Sequence, residues 1–346
     1  MNNYFISRDN FFKFLENLKS EYDVFVPVKS HDQRFYKKYE SQTDDILVGE
    51  VRPFEPLKAF FTRAREVVAE DFKNEIPHSN DKPIAIVGVK ACDLKGFKVQ
   101  DFVFNDSELQ DPFYIKNRTE NLIISADCTC VIETCFCVAL GIQPHPKDNF
   151  DLNLSEQDNG FLVEVGSEKG NDLVKKYSSL FDKPEQKQIK KREELRNKIS
   201  SSAENNLKES GVPHQDNFQN IIETNYESDI WADEAKTCVE CGACTIICPT
   251  CHCFLLYDQK DDEKMRRLRV WDSCMIKDYA RVAGGANPRP KLFMRLRNRF
   301  EKKFDFFPKV ANLYACTGCG RCISACPAKI DIRKVLKRLV ENARNK

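Results

Sequence analysis

Cys238-x2-Cys241-x2-Cys244-x3-Cys248-Pro249 is followed by a second copy of the same pattern, Cys316-x2-Cys319-x2-Cys322-x3-Cys326-Pro327. Three thiols at three-residue intervals can wrap one corner of an iron–sulfur cube. The fourth, set apart and followed by proline, serves the other cluster in two-cluster ferredoxins. The expected ligand sets are therefore crossed: Cys238, Cys241 and Cys244 with Cys326 for one [4Fe–4S] cluster, and Cys316, Cys319 and Cys322 with Cys248 for a second. Zinc is the competing metal. It asks for four tetrahedral ligands, usually two separated pairs, and leaves the third evenly spaced cysteine without a purpose. The spacing favours iron and sulfide, and with them electron transfer.

Sixty-seven residues separate Cys248 from Cys316, too many for the short connection of a small bacterial ferredoxin. Met265–Arg281 and Leu292–Phe304 both carry helical spacing, so residues 218–346 read as an α-helical ferredoxin domain in which helices, not a hairpin pair, hold the clusters. Upstream, residues 1–182 read as α/β. Val24–Val28, Ile84–Val89, Leu122–Ser125 and Phe161–Val165 are strand-length apolar runs, the last introduced by the turn Asp158-Asn159-Gly160. Phe60–Phe72 and Leu94–Phe104 have helical spacing between them, and this alternation favours a mostly parallel sheet. Residues 183–217 are dense in Lys, Glu, Gln and Asn. They predict a solvated, frayed helix acting as an arm or linker, ending at Gly211-Val212-Pro213.

The chain has 346 residues and a net charge of +1, which conceals an asymmetry. Residues 231–346 hold 24 Lys and Arg against 13 Asp and Glu, a balance of +11; the remaining 30 against 40 give residues 1–230 a balance of −10. A basic cluster domain offsets the negative charge of iron–thiolate clusters and can present a docking face to an acidic partner. Equally, Arg295, Arg297, Arg299, Lys302 and Lys303 could simply form the solvated side of a helix. No stacking aromatics interleave with these charges and no helix-turn-helix is evident, which argues against nucleic acid. No apolar run approaches the ~20 residues that cross a bilayer. Sixteen cysteines in metal-type spacings, with no basic-then-apolar leader over Met1–Lys19, predict a reducing compartment, the cytoplasm.

Five more cysteines stand in the N-terminal half: Cys92, Cys128, Cys130, Cys135 and Cys137. Cys92 follows one predicted strand and Cys128 another. In a parallel sheet both would emerge at the carboxyl edge, where open α/β sheets build their sites. Thr134-Cys135-Phe136-Cys137 could then complete a four-thiolate set with Cys92 and Cys128 for a third iron–sulfur cluster, leaving Cys130 spare. The plain alternative is that these are small buried hydrophobes. Cys251, His252, Cys253 and Cys274 flank the first motif and could tune a cluster, ligate a metal or pack beside it. The histidines (His31, His78, His145, His214, His252) are scattered in polar or proline-flanked segments, with His145 a stiff loop tip that could meet a partner. Neither G-x-G-x-x-G, a P-loop nor H-E-x-x-H occurs, so other proteins would have to supply and consume the electrons.

These residues also compose a larger pattern. Gly88-Val89-Lys90-Ala91-Cys92-Asp93-Leu94, Asp111-Pro112-Phe113-Tyr114, Thr134-Cys135-Phe136-Cys137 and Phe161-Leu162-Val163-Glu164-Val165-Gly166 are joined by Cys248-Pro249-Thr250-Cys251-His252-Cys253-Phe254. Trp271-Asp272-Ser273-Cys274, Ala283-Gly284-Gly285 and Asn287-Pro288-Arg289-Pro290 follow. From about Glu50 to Leu339 the chain resembles the family containing the sulfhydrogenase β subunit and the anaerobic sulfite reductase A subunit. Two departures stand out: Lys90-Ala91 where Arg-Pro would be expected, and Cys130 as an addition. The resemblance implies an electron-transfer subunit with two [4Fe–4S] clusters. Such a subunit passes electrons between a flavin-containing, NAD(P)H-linked subunit and a catalytic hydrogenase or reductase subunit, and converts no substrate itself. The reading of another class is an enzyme whose N-terminal cluster keeps an open iron site for substrate. A four-thiolate N-terminal set argues against it.

Overall fold

The computed structural model describes residues 2–42, 45–71, 81–106, 108, 110–213, 217–261 and 264–344. Seven strands form one mixed sheet: β1 (Asn3–Ser7), β2 (Asp23–Ser30), β3 (Gln33–Lys38), β5 (Ile84–Val89), β6 (Leu122–Ala126), β7 (Leu152–Gln157) and β8 (Gly160–Val165), where β4 (Arg65–Glu70) belongs to a second sheet. Their order is β1-β8-β7-β6-β5-β2-β3. The central strands β7, β6, β5 and β2 run parallel, and antiparallel pairs close both edges. The near-continuous apolar runs of β5 and β6 follow from burial on both faces. Ala85, Val87, Leu122 and Ile124 join a core under the helix Arg8–Leu18, while Ile86, Val89 and Ile123 join another under the helix Ala91–Phe104.

Two expected helices are strands. Phe60–Phe72 begins with a 3-10 turn, Leu57–Phe60, and continues as β4; Phe72 lies outside the described residues. Met265–Arg281 begins as β10 (Lys264–Trp271), which pairs antiparallel with both β9 (Phe254–Asp261) and β4. Apolar spacing within each segment suggested a helix, but a partner some 200 positions away decides the matter (Arg269 opposes Glu66). The pairing is reinforced by side chains: Arg269 to Glu66 at 2.8 Å, Arg266 to Glu70 at 2.9 Å and Arg267 to Asp258 at 2.8 Å. The insertion between the cysteine motifs thus contains a β-hairpin, so helices alone do not build this half of the chain. The second helix expected there is present as Leu292–Glu301, running on through a π-helical turn, Lys302–Phe306.

The polar stretch after residue 182 is also more than a solvated arm. Gln186–Ser210 is one 25-residue helix whose Ile199, Ala203 and Leu207, four residues apart, form a narrow buried stripe. Ala203 and Leu207 share a core with Phe136 and Val138 of the N-terminal half and with Phe218, Trp231, Phe300 and Leu336 of the C-terminal half. One turn above that stripe, Arg196 Nε donates to Asp127 at 2.8 Å and the same guanidinium meets Glu164. Asp127 directly follows β6, so the helix braces the segment that carries Cys128. Three small or medium apolar residues among so many charges are a weak sequence signal, which is why the packing was not anticipated.

Leu207→Ala should destabilise the chain by about 2–5 kcal/mol, the range for a buried leucine. Leu195→Ala on the same helix, 37% exposed, should cost at most about 0.5 kcal/mol. Urea midpoints of the two variants check this, and equal sensitivity would return the helix to a solvated arm.

Candidate metal centres

All sixteen cysteines are free thiols, and three groups of them gather. In the first motif, Cys238 and Cys241 lie in the turn leading to the short helix Ala243–Ile246, and Cys244 lies on that helix. In the second, Cys326 follows the helix Arg321–Ser324. One cavity is lined by Cys238, Cys241, Cys244 and Cys326, with Cys322 and Arg299 on its wall. Cys241 is exposed, which puts this group nearest the surface.

Cys316, Cys319 and Cys248 are buried, and Cys322 is partly so. Burial lifts the Cys316 thiol to about 12, opposed by the Lys303 ammonium and reinforced by Cys248 and Cys322. Cys322 is lifted to about 11, again by burial first, with Arg299 opposing and Cys319, Cys248 and Cys244 reinforcing. Cys248 is the exception. A hydrogen bond from Cys251 holds it well below the ordinary thiol range despite burial, with Lys303 and Thr250 adding to the effect. Lys303 Nζ donates to Cys248 Sγ at 3.2 Å and to Ala315 O at 3.0 Å, and Thr250 Oγ1 lies 3.1 Å from the same sulfur.

The N-terminal cysteines meet at the carboxyl edge of the sheet. β5 and β6 pair in parallel with Val89 opposite Ser125, so Cys92 and Cys128 each emerge three residues beyond paired positions. Burial raises Cys137, with Cys135 and Cys128 adding their fields; burial likewise raises Cys128 to about 12, and Cys92 shares its field. Cys130, set aside as spare, lies in reach of the Lys90 ammonium. This group abuts the second ferredoxin motif. Phe136 N–H donates to Gly318 O at 2.8 Å, and a Cβ at Gly318 would stand 2.6 Å from Cys137 Cα, at Gly320 2.3 Å from Thr134 O. With positive φ as well (+61° and +72°), both positions require glycine. Cys319 accordingly lies within the electrostatic reach of Cys92 and Cys135.

Around these thiols the chain buries basic side chains that sequence reasoning missed. Lys58, Lys90, Arg299, Lys303 and Arg321 are all nearly inaccessible. Lys58 donates to Cys251 O at 2.9 Å, and Lys90 to Val48 O at 2.6 Å and Asp127 O at 3.2 Å. Arg321 donates to Pro53 O, Phe54 O and Glu55 O, each at 3.1 Å, and to Asp93 at 2.8 Å. Nε and Nη2 of Arg299 are buried with no acceptor. The reading of Arg295, Arg299 and Lys303 as a solvated helix side is therefore wrong. A signal was present: they recur every four residues directly beside the apolar stripe Leu292, Leu296, Phe300, Phe304, and so could not face away from it. Burying cations costs several kcal/mol each unless negative charge answers them. The donor set fits iron–sulfur clusters: thiols in fours, with cations positioned to compensate thiolate and sulfide. Among the described residues no three Cys, His, Asp or Glu converge as ligands of one ion would. A four-iron cube, with each thiolate on a separate iron, does not ask for that.

His31 is exposed, as expected, but two other histidines are not surface residues. His145 is half-buried against Cys128 and Arg196 in a cavity of about 40 Å³, with Nδ1 lacking a partner, so it is no exposed tip. His252 packs edge-on to Phe104, and burial lowers its pKa below the ordinary histidine value. His78 and His214 lie outside the described residues.

The 4Fe–4S dicluster domain family matches residues 237–330. The chain is 33% identical to sulfhydrogenase 2 subunit beta of Pyrococcus furiosus over 332 residues, covering 95% of this chain and 96% of that protein. No solved structure matches it. No helix among the described residues is long and apolar enough to cross a membrane.

A further thiol pair lies outside the three groups. Asp272 N–H donates to Cys253 O at 2.9 Å at the open end of the β9–β10 hairpin, which brings Cys253 and Cys274 together. A hydrogen bond from Cys274 pulls Cys253 down to about 5 against its burial, with Tyr279 and Lys302 assisting. Above that pH Cys253 is a thiolate. In the cluster-loaded chain, iodoacetamide labelling of Cys253 should be half-maximal near pH 5, read by peptide mass spectrometry. Cys274→Ala should move the midpoint up toward the ordinary value of about 8.5. A midpoint already there in the unmodified chain refutes the pairing.

Proposed function

Because the chain belongs to the sulfhydrogenase β-subunit family, we propose that it relays electrons within a multi-subunit oxidoreductase of hydrogenase type. In this reading they pass between a flavin-containing, NAD(P)H-linked subunit and a catalytic hydrogenase or reductase subunit, in the cytoplasm. The observation that carries it is the cavity that gathers Cys238, Cys241 and Cys244 from one motif with Cys326 from the other. We assign those four thiolates to one [4Fe–4S] cluster and Cys316, Cys319, Cys322 and Cys248 to a second. Cys92, Cys128, Cys135 and Cys137 form the third set. Clusters so bound would supply one-electron oxidation and reduction at each site.

The chain's own residues do the rest. Lys303 and Thr250 hold Cys248 in place and favour its thiolate. The field of the Lys90 ammonium favours the thiolate of Cys128 against its burial. The close packing of Thr134–Cys137 against Gly318 and Gly320 supports a reading in which the N-terminal set lies beside the second site and the three sites stand in series. The order runs from exposed Cys241, through the buried second site, to the carboxyl edge of the large sheet. Closely spaced, water-excluded sites in series are what a relay requires, and burial together with charge sets their potentials. Four thiols in the N-terminal set leave no vacant ligand position, which favours a relay over a substrate-binding open site.

Iron and sulfide analysis of the anaerobically purified complex, after subtracting the partners' cofactors, should give about twelve iron per copy of this chain. About eight would remove the third cluster. Cys241→Ala should lower the count by about four and abolish electron transfer through the complex. Undiminished turnover in that variant would overturn the relay.

A further inference from the structure

Arg295, Arg299 and Lys303 stand one turn apart along the helix that passes the first two cysteine sites. Two of the three are saturated. Arg295 donates to Met275 O, Arg289 O and Pro290 O and pairs with Glu240 at 2.7 Å. Lys303 donates to Cys248 Sγ, Thr250 Oγ1 and Ala315 O. Arg299 is different: 4% exposed, on the wall of the first-site cavity, with Nε and Nη2 unanswered by any protein acceptor. Among the described residues no carboxylate pairs with it. Its charge is opposed by burial and sustained by the thiols of Cys244, then Cys322, Cys251 and Cys248. Cys244 belongs to the first assigned site, and Cys322 and Cys248 to the second. A buried guanidinium that keeps two donors free must find an acceptor or cost several kcal/mol. It lines one cavity with Cys244 and Cys322, one thiol from each assigned site.

We infer that Arg299 is a counter-cation shared by the two iron–sulfur sites, donating its free N–H groups to sulfur of both. This rests on the assignment of two clusters to the crossed cysteine sets. A positive charge in contact with a cluster stabilises the reduced, more negative state, so Arg299 raises both reduction potentials. The planar fork of donors suits a span between two acceptors; a lysine, with a single ammonium, reaches one. Sharing one cation also links the sites. Reduction of either draws on the same charge, so an electron on one site makes reduction of the other harder, which favours passage over storage.

The test is an EPR-monitored redox titration of the full-length chain in its anaerobically purified complex, with iron counted for every sample. Unmodified protein with fewer than about eight iron overturns the two-cluster assignment itself, and the inference with it. With iron complete, Arg299→Gln should shift both midpoints to lower potential, while Lys303→Gln shifts the second site alone. Unmoved midpoints in Arg299→Gln, or a fall in only one, overturn the shared role and leave the assignment standing. Should Arg299→Gln fail to retain its iron, Arg299→Lys carries the decision: one midpoint falls and the other holds. Any other pattern overturns the inference.

Discussion

A buried ion pair joins the two halves of this protein. Arg321 is fully buried inside the second cysteine motif, and its guanidinium meets the Asp93 carboxylate at 2.8 Å through two nitrogens. Asp93 stands next to Cys92, and Nε and Nη2 of Arg321 donate also to three backbone carbonyls of residues 53–55. Such a pair is weak evidence for stability, because desolvation consumes most of the attraction. Removing either partner alone, however, leaves a stranded charge worth about 3–5 kcal/mol. The consequence is register. The second motif can seat in only one way on the sheet edge that carries the N-terminal cysteines.

The glycines of that motif depend on this seating. Gly318 and Gly320 let the Thr134–Cys137 backbone approach so closely that no side chain could intervene. On the opposite side, Gln100 Nε2 donates to Pro249 O at 2.9 Å, and Lys58 lies 4.4 Å over the Trp271 ring, tying the first motif to the same domain. The helix Gln186–Ser210 closes the arrangement from behind through Arg196 and Leu207. The thiol groups therefore keep fixed separations, as the proposed relay between them requires.

The same interior explains the charge asymmetry of the sequence. Much of the basic excess after residue 231 is not a docking face, because Arg269, Arg295, Arg299, Lys303, Arg321 and Arg333 are buried. Some answer carboxylates, as Arg333 does Asp331 at 2.7 Å; others face sulfur. The apolar surface that does remain exposed includes Val239 beside Cys241, and Phe254, Leu255 and Leu256 on the hairpin.

The sequence by itself determined the chemistry and the parallel core. Cysteine spacing is a local property, and three-residue intervals define a cluster motif wherever the chain goes. Strand-length apolar runs such as Ile84–Val89 are legible because burial on both faces leaves no polar alternation to confuse them. Tertiary structure alone decided what long-range pairing controls. Phe60–Phe72 and Met265–Arg281 carry helical spacing, yet Arg65–Glu70 and Lys264–Trp271 within them become strands because each supplies the other's hydrogen bonds. The polar helix hid its role because three apolar residues suffice when ion pairs hold the rest. Arg299 and Lys303 read as solvated because lysine and arginine usually are. Only when two cysteine motifs 67 residues apart fold together does an anionic interior exist to hold them.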